Sequence, residues 1–334
     1  MIISKTPFRI SFFGGGTDLP EWYKENSGAV LSSTIDKYVY ISSRYLPEFF
    51  EYKHRVVWTK VEKVMHFDEI EHPVVKEGLK FLEFSNDIGL DIQYQADLPA
   101  RSGMGSSSAF TVGFINSLMA LKKKILSKKE LAEKAIYLEQ SVLNEIGGCQ
   151  DQYACATGGF NKFRFCENGS IITEDIKIKD ETIKKLEENL LLVYLGLGRF
   201  GSEIQKKVVA NLSKKKKHLI RMYNMVDEGI KILNKGDSLD DFGLLLDEAW
   251  QNKKELDPII SNEKVDNVYS QAKLNGVLGG KLLGAGQTGF MILYVPKEKR
   301  TKVLKNLSKL LVVPFSFSFE GSKIMYNSAK KIND

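Results

Sequence analysis

The stretch Leu98-Pro-Ala-Arg-Ser-Gly-Met-Gly-Ser-Ser-Ser-Ala109 joins two segments of different periodicity and decides how the chain folds. Before it, apolar and polar residues alternate from Asp91 to Asp97, which predicts a half-buried strand. After it, an apolar run that begins near Ser106 predicts a central helix buried nearly all round. A flexible Gly/Ser linker would have a similar composition, but these structured flanks argue against that interpretation.

The glycines and serines of this stretch predict a phosphate site. Gly103 and Gly105 allow a tight turn and a close approach of the backbone to a ligand. The three serines from Ser106 to Ser108 open the helix, whose first N–H groups and positive dipole end favour an anion. Serine hydroxyls can also reach a magnesium ion that the anion carries.

The composition indicates a globular protein with room for two modest domains. The 334 residues are 43% hydrophobic and 27% charged. No apolar run is long enough to span a membrane, and the start lacks the order of a signal peptide, so we expect a cytoplasmic protein without a membrane partner. The three cysteines and four histidines are scattered, which indicates neither a disulfide framework nor a zinc site nor histidine catalysis.

The net charge of +6 would suit an anionic substrate. The run Lys214–Lys217 lies within a helical pattern and has no interleaved aromatic residues. We therefore interpret it as a solvated helix face and expect no nucleic-acid partner.

The amino-terminal segment predicts a strand over Ile2–Phe13, a glycine loop and a helix that begins near Leu19. The loop Gly14-Gly-Gly-Thr-Asp18 places a carboxylate beside bare backbone. Asp18 could accept hydrogen bonds from sugar hydroxyls, or it could cap the helix that follows. The segments Gly28–Arg44 and Val56–Val61 are rich in β-branched and aromatic residues, which predicts strands of an antiparallel sheet.

A second helix is predicted from a capping box formed by Ser127 and Glu130, and it should run to Gly147-Gly148. At about 100° per residue its apolar residues form one stripe, with Glu139 in the middle. A buried carboxylate needs compensation. Glu139 is therefore either a magnesium ligand shared with the serine loop or the partner of a buried Arg or Lys.

Asp151 lies just beyond the predicted end of this helix, so Glu139 and Asp151 could face one cavity. An aspartate beside a substrate hydroxyl and a γ-phosphate suits proton removal during phosphoryl transfer. The alternative is an aspartate that caps a helix after Gly147-Gly148.

The carboxyl-terminal half predicts strands over Leu190–Leu195, Lys281–Leu283 and Phe290–Val295. The intervening Gly284-Ala-Gly-Gln-Thr-Gly289 matches G-x-G-x-x-G, but it leads into a strand rather than a helix, which excludes a dinucleotide fingerprint. A helix over 297–310 and a strand over 312–319 would complete a small α+β sandwich.

Three motifs together resemble the GHMP kinases, the superfamily of galactokinase, homoserine, mevalonate and phosphomevalonate kinases. They are Pro7–Asp18, Pro99–Ala109 and Lys281–Phe290, and they occur in the family's order. The resemblance implies a two-domain α+β fold. Residues 1–185 would form an amino-terminal domain with a mixed sheet, helices and the ATP phosphate loop, and residues 186–334 a ferredoxin-like α+β sandwich.

The resemblance also implies ATP and Mg²⁺ as cofactors and assigns roles to individual residues. The nucleotide phosphates would be bound by Gly103, Met104, Gly105, Ser106, Ser107 and Ser108. Magnesium would be held by Glu139 and Ser107, with Ser106 or Ser108 as alternatives to Ser107. Asp151 would be the catalytic base, with Arg9 beside it and the transferred phosphate. Substrate contacts would come from Gly15, Gly16, Thr17, Asp18, Arg199 and Gly286.

Galactokinases read Gly-Glu-His-Thr-Asp where this chain has Gly14-Gly-Gly-Thr-Asp18, which argues against galactose. This glycine loop and the downstream segment 196–203 resemble those of D-glycero-D-manno-heptose 7-phosphate kinases and, next, of fucokinase domains. The resemblance implies phosphorylation of a sugar phosphate at its anomeric hydroxyl, on the route to nucleotide-activated heptose for surface polysaccharides. A fucose- or galactose-like 1-kinase and a non-catalytic sugar and nucleotide sensor are the alternatives. A phosphorylated substrate needs cations, for which the candidates are Lys5, Arg44, Arg101 and Arg199.

Overall fold

The computed structural model of this protein describes residues 1–197 and 201–328. The strands are β1 (Ile2–Phe13), β2 (Gly28–Tyr45), β3 (His54–Val57), β4 (Val61–Val64), β5 (Leu90–Ala96), β6 (Asn161–Phe165), β7 (Ile171–Asp175), β8 (Leu190–Gly196), β9 (Gly279–Leu282), β10 (Gly289–Tyr294), β11 (Leu311–Val313), β12 (Phe317–Ser318) and β13 (Lys323–Asn327). The helices are α1 (Pro20–Asn26), α2 (Pro73–Phe81), α3 (Ser106–Leu121), α4 (Lys128–Ile136), α5 (Gln150–Thr157), α6 (Asp180–Asn189), α7 (Gly201–Asn211), α8 (Lys216–Lys235), α9 (Asp240–Lys254), α10 (Glu263–Leu274) and α11 (Arg300–Asn306).

The first sheet is built on the long antiparallel pair β1 and β2, whose order continues as β13-β1-β2-β5-β3-β4. One half of β2 pairs with β5, and the other half pairs with β6 and β12. Because β3 runs parallel to β5, the sheet is mixed, as the family resemblance implies. The single strand expected over Val56–Val61 is wrong. The backbone N–H of Trp58 donates to the Lys60 carbonyl at 2.9 Å, and this turn separates β3 from β4.

Helix α3 lies against β1 and β2 and is buried on nearly all sides, as its apolar sequence predicts. It packs tightly on the sheet at Gly113, whose carbonyl accepts a hydrogen bond from Ser4 Oγ at 2.8 Å. A side chain at this position would meet Thr6. The loop before the helix is held against β1, because the Met104 carbonyl accepts the backbone N–H of Arg9.

Helix α4 begins at the predicted capping box, in which the side chain and backbone of Ser127 exchange hydrogen bonds with Glu130. The predicted end at Gly147-Gly148 is wrong. A wider π-helical turn follows over Tyr137–Val142, closed by a 3.0 Å bond from the Leu143 N–H to the Leu138 carbonyl. Asn144 then takes a left-handed conformation with φ of 55°, which stops the helix.

The second sheet is antiparallel with the order β11-β8-β10-β9. Counted from β8, this is the 4-1-3-2 order of a ferredoxin-like sandwich, so the expected α+β architecture is confirmed. The strand predicted over 312–319 is wrong, because β11 pairs with β8 whereas β12 pairs with β2 of the first sheet. The helix predicted over 297–310 is shorter: a 3₁₀ turn over Lys297–Lys299 precedes α11.

The two sheets are joined by backbone contacts between the second and third motifs. The Phe290 N–H donates to the Ser102 carbonyl at 3.0 Å, and Gly103 packs against Leu283 and Gly284. The division into domains at residues 185 and 186 stays a prediction, and β12 and β13 return to the first sheet after it. Among the described residues, no helix combines the length and apolar character needed to cross a bilayer.

The close contact at Gly113 predicts that Gly113→Ala destabilises the protein. A Cβ there would lie 2.8 Å from Thr6 Oγ1. We expect the free energy of unfolding to fall by about 1–2 kcal/mol, because overpacking outweighs the better helix propensity of alanine. Urea denaturation measures this. Gly147→Ala is the matched control, since no atom lies within 4 Å of its added Cβ; equal stability of wild type and Gly113→Ala would contradict the packing argument.

Candidate active site

A cavity of about 290 Å³ lies where the three glycine motifs meet. Most of the residues assigned roles from the sequence line it, namely Arg9, Gly15, Gly16, Asp18, Gly103, Gly105, Ser106, Ser107, Ser108, Glu139 and Asp151. The expectation that Glu139 and Asp151 face one cavity is confirmed. Helices α7 and α9 and the third motif complete the wall.

Arg9 and Asp151 form a bidentate ion pair at this cavity. Arg9 Nε donates to Asp151 Oδ1 at 2.7 Å, and Nη2 donates to Oδ2 at 2.6 Å. The third donor, Nη1, binds the Gly103 carbonyl at 2.7 Å. Burial opposes the charge of Arg9, but the Asp151 carboxylate outweighs burial and the pKa of Arg9 is raised. Arg9 therefore keeps its charge, and its bonds join β1, α5 and the phosphate loop.

Asp151 is not a helix cap. It lies in the first turn of α5, whose cap position is Cys149, and its side chain is directed to Arg9. The carboxylate is 22% exposed, whereas the Arg9 side chain is 5% exposed. Asp151 is thus held rigidly with part of its surface open to the cavity, where a substrate hydroxyl can reach it.

Asp18 is likewise not a cap, because α1 starts after Leu19 and no side chain caps it. The Asp18 carboxylate accepts hydrogen bonds from the Gly16 N–H at 2.8 Å and from Gln150 Nε2 at 3.0 Å. A Cβ at Gly148 would lie 1.8 Å from Asp18 Oδ2, so glycine is required there. Burial raises the pKa of Asp18, against the hydrogen bonds that favour its charge. A buried acceptor of this kind suits a polar ligand.

Glu139 is buried, and among residues 1–197 and 201–328 it has no ion pair with a Lys or Arg. The hypothesis of a buried ion pair is therefore wrong. Ser108 Oγ donates to Glu139 Oε2 at 3.1 Å, and Gln152 Nε2 donates to the same oxygen. Among the described residues, the other oxygen, Oε1, is buried without a hydrogen-bond partner. Burial raises the pKa of Glu139 to about 7.

The phosphate loop has the shape that its sequence predicts. Gly103 and Gly105 have φ values of 78° and 75°, and α3 starts directly after Gly105. Ser106 Oγ accepts a hydrogen bond from the backbone N–H of Arg101 at 3.1 Å, whereas the side chain of Ser107 is exposed at the cavity. Helix geometry leaves the first N–H groups of α3 without intrahelical acceptors, which makes this end of the helix suitable for phosphate groups.

A divalent cation at this loop would need oxygen ligands beyond the protein carboxylates. Among the described residues, no group of three or more His, Cys, Asp and Glu side chains could hold a metal. The unpartnered oxygen of Glu139 and the nearby serine hydroxyls suit Mg²⁺, whose remaining ligands are usually phosphate oxygens and water. Ser108 contacts Glu139 directly, which favours it over the predicted Ser107 as the companion ligand.

Three residues that were assigned ligand contacts from the sequence do not place a side chain in the cavity. Met104 is fully buried, and its carbonyl accepts a hydrogen bond from the backbone N–H of Arg9 at 3.1 Å. Thr17 is buried, and its hydroxyl donates to the Gly14 and Ala29 carbonyls. Gly286 faces the Ile260 backbone and is not among the lining residues. Arg199 lies outside the residues that the structure describes.

Three of the four cations proposed for a distal phosphate lie elsewhere in the fold, namely Lys5, Arg44 and Arg101. Lys5 Nζ sits 3.7 Å from the centre of the Tyr38 ring, and Arg44 pairs with Asp91 at 3.1 Å. Neither these residues nor Arg101 line the cavity. Lys253 and Lys281 do line it, and sequence reasoning missed both. The one available signal was a lysine inside the apolar strand β9; Lys253 lies in the last turn of α9, a helix with many polar residues, and gives none.

The chain matches the family description "GHMP kinases N terminal domain" over residues 73–159. Over 339 aligned residues it is 30% identical to D-glycero-alpha-D-manno-heptose 7-phosphate kinase of Campylobacter jejuni, covering 96% of this chain and 98% of the relative. The chain is a GHMP kinase. This GHMP kinase is accordingly a phosphotransferase of the sugar-kinase kind that takes its phosphoryl group from ATP.

Other relatives of this GHMP kinase agree in sequence or in fold. It is 26% identical to the bifunctional fucokinase/GDP-fucose pyrophosphorylase of Arabidopsis thaliana, over 90% of this chain and 30% of that protein. The structure of a D-glycero-D-manno-heptose 1-phosphate kinase from Bacteroides thetaiotaomicron superposes with a TM-score of 0.80 at 22% identity, covering 98% and 99% of the two chains. A sugar kinase structure from Campylobacter jejuni gives 0.71 at 26% identity, with 97% of each chain covered.

The raised pKa of Glu139 predicts how stability depends on pH without magnesium. Between pH 4.5 and about 7 the folded carboxyl holds a proton that the unfolded chain has released. The free energy of unfolding should therefore fall across this window as pH rises, by an amount on the order of 3 kcal/mol.

Thermal or urea denaturation in EDTA tests this when wild type is compared with Glu139→Gln at each pH. We expect the difference between the two proteins to shift in favour of Glu139→Gln as pH rises. Glu133→Gln on the exposed side of α4 is the control and should follow wild type. A difference between wild type and Glu139→Gln that is independent of pH would contradict the argument.

Proposed function

We propose that this GHMP kinase transfers the γ-phosphate of ATP to the anomeric C1 hydroxyl of D-glycero-D-manno-heptose 7-phosphate and releases the 1,7-bisphosphate and ADP. The observation that carries the chemistry is the Arg9–Asp151 pair, which is tied to the phosphate loop through the Gly103 carbonyl. The acceptor is supported by the 30% identity to the Campylobacter jejuni kinase over nearly the whole of both chains.

In this proposal Asp151 accepts the proton of the C1 hydroxyl while that oxygen bonds to the γ-phosphorus. The bond from the γ-phosphorus to the bridging oxygen breaks, and ADP leaves with the electron pair. Arg9 occupies one lone pair on each Asp151 oxygen, which leaves another on each for the hydroxyl. Arg9 also places a positive charge beside the transferred group. Positioning and charge stabilisation provide most of the rate enhancement in enzymatic phosphoryl transfer.

The loop from Gly103 to Ser108 binds the nucleotide phosphates through backbone N–H groups at the start of α3. Glu139, with Ser108 or Ser107, would hold magnesium, which supplies neutralisation of the phosphate oxygens. Proximity to the cation would also lower the pKa of Glu139 and keep it ionised.

Asp18 holds the sugar in this proposal. Its carboxylate is fixed by Gly16 and Gln150, and it lines the same cavity as Asp151. Carboxylates can accept hydrogen bonds from two neighbouring hydroxyls. The backbone of Gly15 and Gly16 lets the sugar approach closely, because neither residue has a side chain.

The alternative is a 1-kinase for free fucose or a similar sugar. It is favoured by the 26% identity to the Arabidopsis thaliana fucokinase protein over 90% of this chain. The two proposals share the catalytic residues and differ in whether the acceptor already carries a phosphate.

A coupled ADP-release assay with ATP and magnesium tests the acceptor. The panel is D-glycero-D-manno-heptose 7-phosphate, the unphosphorylated heptose, mannose 6-phosphate, fucose and galactose. We expect the highest kcat/KM with heptose 7-phosphate. Higher values with free fucose or galactose would replace the proposal by the alternative. ATP binding without turnover of any sugar would make the protein a sensor.

The proposed base predicts the effect of Asp151→Asn. An amide cannot take the proton, so kcat should fall by roughly 10²- to 10⁴-fold while ATP still binds. Stopped-flow or steady-state kinetics measure kcat, and equilibrium dialysis measures the affinity for ATP. Asp180→Asn, in the exposed first turn of α6, is the matched control. Turnover of Asp151→Asn near the wild-type rate would remove Asp151 from the role of base.

A further inference from the structure

Two lysines in the cavity have no role in the mechanism above. Lys253 lies in the last turn of α9, and Lys281 lies in β9 with only 3% of its surface exposed. Both line the cavity that holds Asp18 and Arg9. They come from the carboxyl-terminal half of the chain, whereas the groups assigned to ATP and magnesium come from the amino-terminal half.

Among the described residues, the hydrogen bonds of these two ammonium groups go to backbone carbonyls, and Lys253 Nζ also lies 6.0 Å from the centre of the Trp250 ring. Lys253 Nζ donates to the Leu282 carbonyl at 3.1 Å and to the Gly284 carbonyl at 2.5 Å. Lys281 Nζ donates to the Phe12 carbonyl at 2.9 Å, directly before the first glycine loop. Within the described parts of the chain, neither lysine has a carboxylate within ion-pair distance. Lys254, the next residue in α9, does pair with Asp266.

Within the described parts of the chain these two lysines have no carboxylate partner, so their charged forms are costly in a partly enclosed cavity. Burial, followed by the positive charge of Arg9, lowers the pKa of Lys253 to about 7. Burial and the charge of Lys253 lower the pKa of Lys281 well below its ordinary value. Asp18 opposes both shifts but already accepts hydrogen bonds from Gly16 and Gln150. An anionic ligand group would stabilise the charged forms of both lysines.

The location of the lysines indicates which anion this is. The nucleotide phosphates already have the start of α3 and the Gly103–Ser108 loop. Lys281 donates a hydrogen bond to the Phe12 carbonyl, just before the first glycine loop. The charge of Asp18, the proposed sugar ligand, acts on the pKa of both lysines. A lysine head is a point charge on a flexible stem, so it can move from a carbonyl to a phosphate oxygen.

We propose that Lys253 and Lys281 bind the phosphate that the acceptor sugar already carries, and thereby select a sugar phosphate over the free sugar. This inference rests on the proposed function and adds the residues that determine its specificity. It replaces Lys5, Arg44 and Arg101 as candidates for the distal phosphate.

The test is the ratio of kcat/KM for heptose 7-phosphate to kcat/KM for free heptose, measured for wild type, Lys253→Met and Lys281→Met. Methionine keeps the length of the stem and removes the charge. We expect each variant to lower this ratio about 10- to 100-fold, mainly through a higher KM for the phosphorylated sugar. The rate with free heptose and the KM for ATP should change little. Lys254→Met is the matched control and should leave the ratio unchanged.

Two outcomes would overturn the inference. An equal loss with both sugars would place the lysines at the transferred phosphoryl group or in a structural role. An unchanged ratio in both variants would leave them without contact to the distal phosphate.

A second measurement does not depend on turnover. Heptose 7-phosphate without ATP should raise the melting temperature of wild type and of Lys254→Met, and it should fail to do so for Lys253→Met and Lys281→Met. Full protection of the Lys→Met variants would again contradict the inference. The melting curves of the unliganded variants also report whether each one folds.

The same data separate this inference from the proposed function. A wild-type enzyme that prefers free heptose or fucose refutes the proposed function itself. A wild-type enzyme that prefers heptose 7-phosphate, with variants that keep the preference, refutes only the role of the lysines.

Discussion

The ion pair between Arg9 and Asp151 is the interaction on which the site depends. It joins the first strand to the start of α5, and the third donor of Arg9 fixes the Gly103 carbonyl. One guanidinium therefore sets the distance between the proposed base and the phosphate loop. Its planar group of donors suits this task, because a lysine in its place could not bind a carboxylate with two parallel bonds and a carbonyl at once.

Glycine makes the meeting of the three motifs possible. Gly103 has a φ of 78° and lies against the Leu283 carbonyl, so any side chain there would clash with the third motif. Gly289 lies equally close to the Ser102 carbonyl, and Gly148 to the Asp18 carboxylate. The contacts between the second and third motifs bring segments about 190 residues apart in sequence to within hydrogen-bonding distance, as the bond between Phe290 and Ser102 shows.

The cavity contains ionisable groups that the described residues do not fully compensate. Among those residues, one buried oxygen of Glu139 has no hydrogen-bond partner, and burial raises the pKa of Glu139. Lys253 and Lys281 have carbonyl partners but no described carboxylate within ion-pair distance, and burial lowers their pKa values. The first arrangement suits a cation and the second an anion. Their separation in the chain supports the proposal that the metal and nucleotide bind to elements of the amino-terminal half and the acceptor phosphate to elements of the carboxyl-terminal half.

Elements with local signals were predictable without the tertiary structure. Periodicity and the capping box predicted β1, α3 and the start of α4, and the glycines predicted the tight turn before α3. Glu139 was found because it interrupts an apolar stripe. Only the tertiary structure decided that the segment 312–319 divides between two sheets, because strand pairing is a long-range contact. It also decided that Ser108 contacts Glu139 and that Lys253 and Lys281 enter the cavity, since a lysine's surroundings depend on residues distant in sequence.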